Sequence, residues 1–240
     1  MARLFFLHGV GGGSAAWDRQ VAHFSALGHR CLAWDQPGYG GTRAVEPYTL
    51  GAVAAELRRL LEEPSVLVGH SMGGFIAQEA YARFPELVRA LVLGFTSAAF
   101  AGGSELARQF IAARLGPLDA GRTMAEVAAG LMPGLRGAKS DPQALARAQR
   151  IMAAIPPETY RKAVQLLTSF DRRENLARIA VPTLLVAGSD DRVAPPAGMK
   201  RMAKSIPRAE YVLLQGCGHL GPMDQPEAFN AVLENFLRGL

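Results

Sequence analysis

Six short apolar runs recur along the chain, separated by stretches in which apolar residues return at helical spacing. The runs are Arg3–Leu7, His29–Asp35, Val66–Gly69, Ala90–Gly94, Thr183–Ala187 and Tyr211–Leu214. Their near-continuous hydrophobicity predicts strands buried on both faces. Between them, amphipathic patterns predict helices over about 14–27, over 50–61 through Leu50, Val53, Leu57, Leu60 and Leu61, and over Gly73–Phe84. Strands alternating with helices imply an α/β architecture: a mainly parallel, six-stranded sheet with helices on both faces.

The fourth and fifth runs are too far apart for a simple crossover. The intervening residues follow helical patterns broken at Gly116-Pro117, Pro133-Gly134, Asp141-Pro142 and Pro156-Pro157. These breaks predict four short helices, about 104–115, 123–131, 142–154 and 158–168. With no strand pattern among them, residues 97–177 are expected to form an inserted helical lid, and 1–96 with 178–240 the core domain. No internal repeat or low-complexity tract divides the chain further.

Composition adds exclusions. With 49% hydrophobic and 20% charged residues over 240 positions, the chain is that of an ordinary globular protein. No apolar run reaches the ~20 residues of a membrane helix, and Leu4–Leu7 is too short for a secretory signal. Two cysteines, Cys31 and Cys217, cannot build a disulfide framework, and free thiols suit a cytoplasmic address. The formal net charge is +5, and the segment 103–175 carries eleven basic against seven acidic side chains. Solvated helix faces account for this, although a mildly positive field would also favour an anionic substrate. No dense basic run is interleaved with aromatics, so neither a nucleic-acid nor a membrane partner is expected. A monomer or homodimer acting on a small molecule is the expectation.

The strongest local feature is Gly69-His70-Ser71-Met72-Gly73. It follows an apolar strand and opens a helix, the context in which G-x-S-x-G exposes a nucleophilic serine on a sharp turn. A serine hydroxyl needs a base to take its proton. Of five histidines, His219 lies just past the last strand, within Gly216-Cys-Gly-His-Leu-Gly221, a loop able to reach the sheet edge. His8 and His70 adjoin the turns and are expected to brace backbone. A carboxylate should orient that base. Asp191 follows the fifth strand, and its neighbour Asp190 competes for the role. The backbone N–H of Met72 and that of Val10, in the loop His8–Gly13, are candidate oxyanion donors. That glycine-rich loop lacks the Gly-Lys-Ser/Thr of a phosphate loop and puts serine at the third glycine of G-x-G-x-x-G, which argues against a nucleotide. No cluster has metal-ligand spacing, and Cys217 is expected to be a buried thiol.

Together, His8-Gly9-Val10, Asp35-Gln-Pro-Gly-Tyr-Gly-Gly-Thr42, Gly69-His-Ser-Met-Gly-Gly74, Gly188-Ser-Asp-Asp191 and Gly216-Cys-Gly-His219 resemble successive signatures of the α/β-hydrolase superfamily. The resemblance spans nearly the whole chain. It implies the order nucleophile, acid, base met by Ser71, Asp191 and His219, no cofactor, and a cap between the strands where the insertion falls. Family members commonly begin with an antiparallel hairpin; only seven residues precede His8, so this hairpin should be missing and one sheet edge left open. Serine at position 71 argues against the dehalogenases and epoxide hydrolases, which use aspartate. Within the superfamily, the chain resembles lid-bearing bacterial esterases and enol-lactonases. This implies a serine hydrolase of small to medium carboxylic esters or lactones. Carbon–carbon bond hydrolases, cofactor-free perhydrolases and small-molecule receptors on the same scaffold are the alternatives. His70 in place of the asparagine usual in carbon–carbon hydrolases favours ester chemistry. The expected substrate-binding wall comprises Trp17, Phe95, Phe100, Phe110, Met124, Leu131, Tyr160, Val193 and Leu220, with Met132 and Phe170 also considered.

Overall fold

The computed structural model describes residues 1–100 and 103–240. Its strands are β1 (Arg3–Leu7), β2 (Arg30–Trp34), β3 (Ser65–His70), β4 (Val88–Gly94), β5 (Thr183–Gly188) and β6 (Ala209–Leu214). They form one sheet in the order β2-β1-β3-β4-β5-β6, with every pair parallel. The expected trimmed sheet is therefore observed. β2 is an edge strand, and Leu32 on it is exposed.

Because the central strands are covered on both faces, successive residues enter two different cores. Phe5, Leu7, Leu67, Leu91, Leu93 and Leu185 face one side, packed with α2 (Leu50–Leu60), α3 (Met72–Arg83) and α8 (Pro196–Lys204). Leu4, Phe6, Val66, Val68, Val92 and Val186 face the other. There they meet α1 (Asp18–Ala26), represented by Phe24, and α10 (Pro226–Arg238), represented by Phe229, Leu233 and Phe236. A one-turn helix, α9 (Gly221–Asp224), precedes α10.

Between β4 and β5 lie α4 (Ser104–Asp119), α5 (Met124–Leu135), α6 (Pro142–Ala153) and α7 (Pro157–Leu167). Two of the expected breaks do not occur where the sequence suggests. Pro117 and Pro133 sit inside the last turns of α4 and α5. Near a C-terminus a proline removes only its own N–H from the ladder, and little helix remains to be kinked. α5 begins with a capping box: the Thr123 side chain accepts from the Glu126 N–H, and the Glu126 carboxylate accepts from the Thr123 N–H. The two ends of the insertion are clasped together. Phe100 N–H donates to Phe170 O at 2.8 Å, and Arg172 N–H donates to Ala98 O at 2.7 Å.

After β1 the chain adds β2 on one side, then crosses to place β3 on the other. The carboxyl ends of β1 and β3 thus border a topological switch point, where open α/β sheets leave a crevice. Register pairs Leu7 with Gly69, and Gly69 with Leu93, so the loops leaving these strands start level.

Candidate active site

Ser71 joins β3 to α3 with φ 52° and ψ −117°, a left-handed conformation disfavoured for any residue with a Cβ. Such strain costs on the order of 1–3 kcal/mol and persists only where neighbours enforce it. Here Ser71 N–H donates to Gly94 O at 3.0 Å, and the Thr96 hydroxyl donates to Ser71 O at 2.8 Å. The turn also needs space. A Cβ on Gly73 would collide with the carbonyls of Leu7 and His8, and one on Gly69 with the Gly73 backbone. This accounts physically for both glycines in the motif.

The loops after β5 and β6 bring their side chains to this turn. His219 Nδ1 lies 2.8 Å from Asp191 Oδ2, and its Nε2 lies 3.1 Å from Ser71 Oγ. An ionised Asp191 accepts the hydrogen bond donated by Nδ1–H, which leaves Nε2 as the acceptor for the serine hydroxyl. Asp191 is 3% exposed and His219 6%. Burial alone would raise the Asp191 pKa. The facing His219 and the N–H groups of Val193 (2.8 Å) and Ala194 (3.0 Å), both donating to Oδ1, outweigh it and hold the carboxyl below its ordinary value. Asp190 points away from the serine and binds elsewhere. Its Oδ2 accepts the Ala138 N–H at 2.8 Å, and its Oδ1 accepts the Ser189 hydroxyl at 2.7 Å.

The backbone of His219 is gripped from two sides. Its N–H donates to Leu135 O, the end of α5, at 2.8 Å, and its carbonyl accepts from His70 Nε2 at 2.7 Å. His8 donates from Nδ1 to Gly9 O at 2.9 Å, while its Nε2 accepts the Gln36 N–H at 3.2 Å. Both bracing histidines are therefore structural in the way the sequence suggests. The segment beginning at Asp35 supports the glycine-rich loop. Asp35 accepts from the Ser14 N–H and hydroxyl at 2.7 and 2.8 Å, and the Tyr39 hydroxyl donates to Val10 O at 3.0 Å. The task of this motif is not visible in the sequence, because its contacts link residues distant in the chain.

A neutral, buried His8 makes stability depend on acid. Burial pushes its pKa from the ordinary 6.5 to about 4. The unfolded chain then binds protons more readily than the folded one below pH 6.5. Stability from this group is full above about 6.5 and declines as pH falls toward 4, by ~1.4 kcal/mol per pH unit. His70, lowered to about 3 by burial first and by His219 second, acts in the same direction. Denaturant melts between pH 7 and 4 should show this loss. His8→Gln should flatten the slope; an unchanged slope would refute the assignment.

Above the serine lies an open, mainly apolar cleft. Four of the expected wall residues line it: Trp17, Phe110, Val193 and Leu220, as does Met132. The remaining expectations are corrected. Phe95 is fully buried beneath the site, packed with Trp17 and Phe229 in the core. Phe100 packs edge-on against Phe110, 5.2 Å between centroids, and does not reach the cleft. Met124 opens α5 within the core. Leu131 is displaced by Met132 and Leu135, which share the inward face at helical spacing. Tyr160 is fully buried behind the wall, and Phe170 stacks on Phe75 at 4.0 Å. Ala148, Ile151 and Met152 of α6 were missed, although their i, i+3, i+4 spacing marks a single helix face. Arg114 of α4 was missed as well.

Val10 lines the cleft beside the serine, and its N–H has no acceptor among the described residues. Met72 is the first residue of α3, so its N–H has no intrahelical acceptor. An activated hydroxyl with such donors nearby can attack a carbonyl and hold the resulting oxyanion. Cys217 is fully buried, and burial raises its thiol to about 12, so it is a poor nucleophile. Among the described residues, no group of three or more His, Cys, Asp or Glu could hold a metal, and no helix is long and apolar enough to cross a membrane.

A six-stranded parallel sheet carrying Ser, Asp and His on its loops in this order defines an α/β hydrolase. The sequence profile of the alpha/beta hydrolase family matches residues 4–232, and the chain belongs to that family. A Mycobacterium tuberculosis protein provisionally named non-heme bromoperoxidase BpoC is 31% identical over 96% of this chain and 92% of its own length. The solved enol-lactonase of Burkholderia xenovorans superposes with a TM-score of 0.87 at 25% identity, covering 99% of this chain and 91% of that one. A thermophilic esterase from Thermogutta terrifontis superposes at 0.90 and 24% identity, covering 100% and 90%, which speaks to the fold alone.

Proposed function

We propose that this hydrolase cleaves a small to medium carboxylic ester or lactone through an acyl-enzyme on Ser71. The observation carrying the reading is the continuous Asp191–His219–Ser71 hydrogen-bond relay, which ends on a strained serine beneath an apolar cleft. Ser71 Oγ attacks the carbonyl carbon as His219 Nε2 takes its proton, and Asp191 stabilises the imidazolium. The Val10 and Met72 N–H groups receive the oxyanion. On collapse the carbon–oxygen bond breaks, and the leaving alkoxide takes the proton from His219. Water, deprotonated in turn by His219, then releases the acid and restores the serine.

Residues 97–177 act as the lid in this reading. The segment after α5 is fastened to the loops that carry the base and acid. Beyond the His219–Leu135 and Asp190–Ala138 bonds, Lys139 N–H donates to Gly216 O at 2.9 Å, and Asp141 N–H donates to Asp224 at 2.8 Å. The Ser140 hydroxyl also donates to Asp224.

The test is turnover of p-nitrophenyl acetate, butyrate and octanoate, with labelling by a fluorophosphonate. Multiple turnovers and a single adduct mapped to Ser71 are expected. A folded protein that neither turns over these esters nor takes the label at Ser71 would refute acyl transfer at this residue.

A further inference from the structure

Among the described residues, four ionisable side chains line the cleft: His8, His70, His219 and Arg114. Burial keeps His8 and His70 neutral, at about 4 and 3. Arg114 is thus the permanent charge in a wall otherwise built from groups such as Met132, Met152 and Leu167. Some basic residues of the same insertion have acidic partners, as Arg108 with Glu105, Arg147 with Asp18, Arg161 with Asp119 and Lys162 with Glu46, while Arg122, Arg136, Lys139 and Arg150 lie outside the cleft wall. Arg114 has no acidic partner among the described residues.

Its position is nevertheless defined. Phe110 lies one turn earlier on α4, and the guanidinium stands over that ring, 5.2 Å from the centroid. Behind it lies Tyr160 of α7, fully buried, with its hydroxyl beside the guanidinium. Burial raises the pKa of this phenol, and the adjacent Arg114 draws it partly back. The guanidinium is therefore held between an aromatic face and a phenol oxygen, with no anionic partner among the described residues. Leaving a half-buried cation without a counter-charge is costly, and a ligand anion would relieve the cost. The planar fork of arginine matches a carboxylate with two parallel hydrogen bonds.

We infer that Arg114 is a substrate-binding residue for a carboxylate, so that the substrate is an ester or lactone bearing a second, anionic end separated from the scissile carbonyl by an apolar stretch. This rests on the acyl-transfer reading above. Monoesters of dicarboxylic acids and carboxylate-bearing lactones are the chemical class. Tyr160 acts from behind as a positioning residue for the guanidinium.

Two measurements test this. The first compares p-nitrophenyl hemi-esters of the dicarboxylic acids from succinate to suberate with neutral p-nitrophenyl esters of matched length. For the best-matched length, kcat/KM should favour the hemi-ester by about tenfold or more, the scale of a charge-assisted contact. Arg114→Gln should bring that ratio close to one, and Arg114→Lys should restore part of it. A wild-type ratio near one, or one unmoved by Arg114→Gln, would overturn the inference. The second titrates the monomethyl esters of the same diacids calorimetrically into Ser71→Ala, with and without Arg114→Gln. About tenfold weaker binding in the double variant supports the subsite; equal or undetectable binding in the single variant refutes it. Arg114-dependent binding without wild-type turnover would sink the acyl-transfer reading and keep the subsite. Turnover with no dependence on Arg114 would do the reverse.

Discussion

Ser71→Ala is expected to lower kcat on p-nitrophenyl esters by about five orders of magnitude, with little change in melting temperature. The hydroxyl is the one atom removed, and no other nucleophile stands in its place, since the Cys217 thiol is buried and protonated. Triad members act as a unit, so losing the nucleophile alone removes nearly everything the relay contributes, and only donors and binding remain. Alanine inherits the same φ of 52°, so the strain of the turn is kept and stability should move by no more than about 1 kcal/mol. Initial rates on purified variant and wild type, with parallel thermal melts, make the comparison. Retention of a tenth of the activity would mean that the reaction does not pass through Ser71.

Gly73→Ala is expected to have the largest effect on the fold. Its Cβ would fall on the Leu7 carbonyl, with the His8 carbonyl also in the way. Both are backbone atoms at the end of a central strand, so no side chain can swing aside. Relief requires α3 to withdraw from β1, which disturbs the Leu7–Gly69 pairing and carries Ser71 away from His219. A cost of about 4 kcal/mol or more is expected, at the diagnostic end of single substitutions. For a chain of this size that corresponds to a fall of roughly 10 °C in melting temperature. Gly130→Ala in α5 is the control. A Cβ there meets nothing within 4 Å, and replacing a helical glycine should be neutral or mildly stabilising. Comparable melts for the two variants would show that close helix–strand approach is not the reason for Gly73.

Much of the site was legible because its chemistry is local. Gly69–Gly73 encodes a turn, and only one histidine and two adjacent aspartates follow the last strands at suitable places. The structure separates the two aspartates by direction. Asp191 turns inward onto His219, while Asp190 turns outward and accepts the Ala138 N–H. Nothing in the spacing of two neighbours could fix that. The wall was read less well, because aromatic residues in the insertion suggested a cleft lining. Phe95, Phe100, Met124, Leu131 and Tyr160 serve the core or the packing within the insertion, whereas Met152, Leu135 and Arg114 face the cleft.

The sequence by itself determined the alternation of buried strands and helices, the serine turn and the order of Ser71, Asp191 and His219, because each depends on residues close along the chain. Only the tertiary structure decided which faces of the inserted helices turn inward, how the β5 and β6 loops are fastened to α5, and that Arg114 stands in an apolar wall without an acidic partner among the described residues. Those features depend on the relative rotation of packed helices. A turn of about 100° per residue exchanges a wall residue for a core one, and hydrophobicity alone does not distinguish the two.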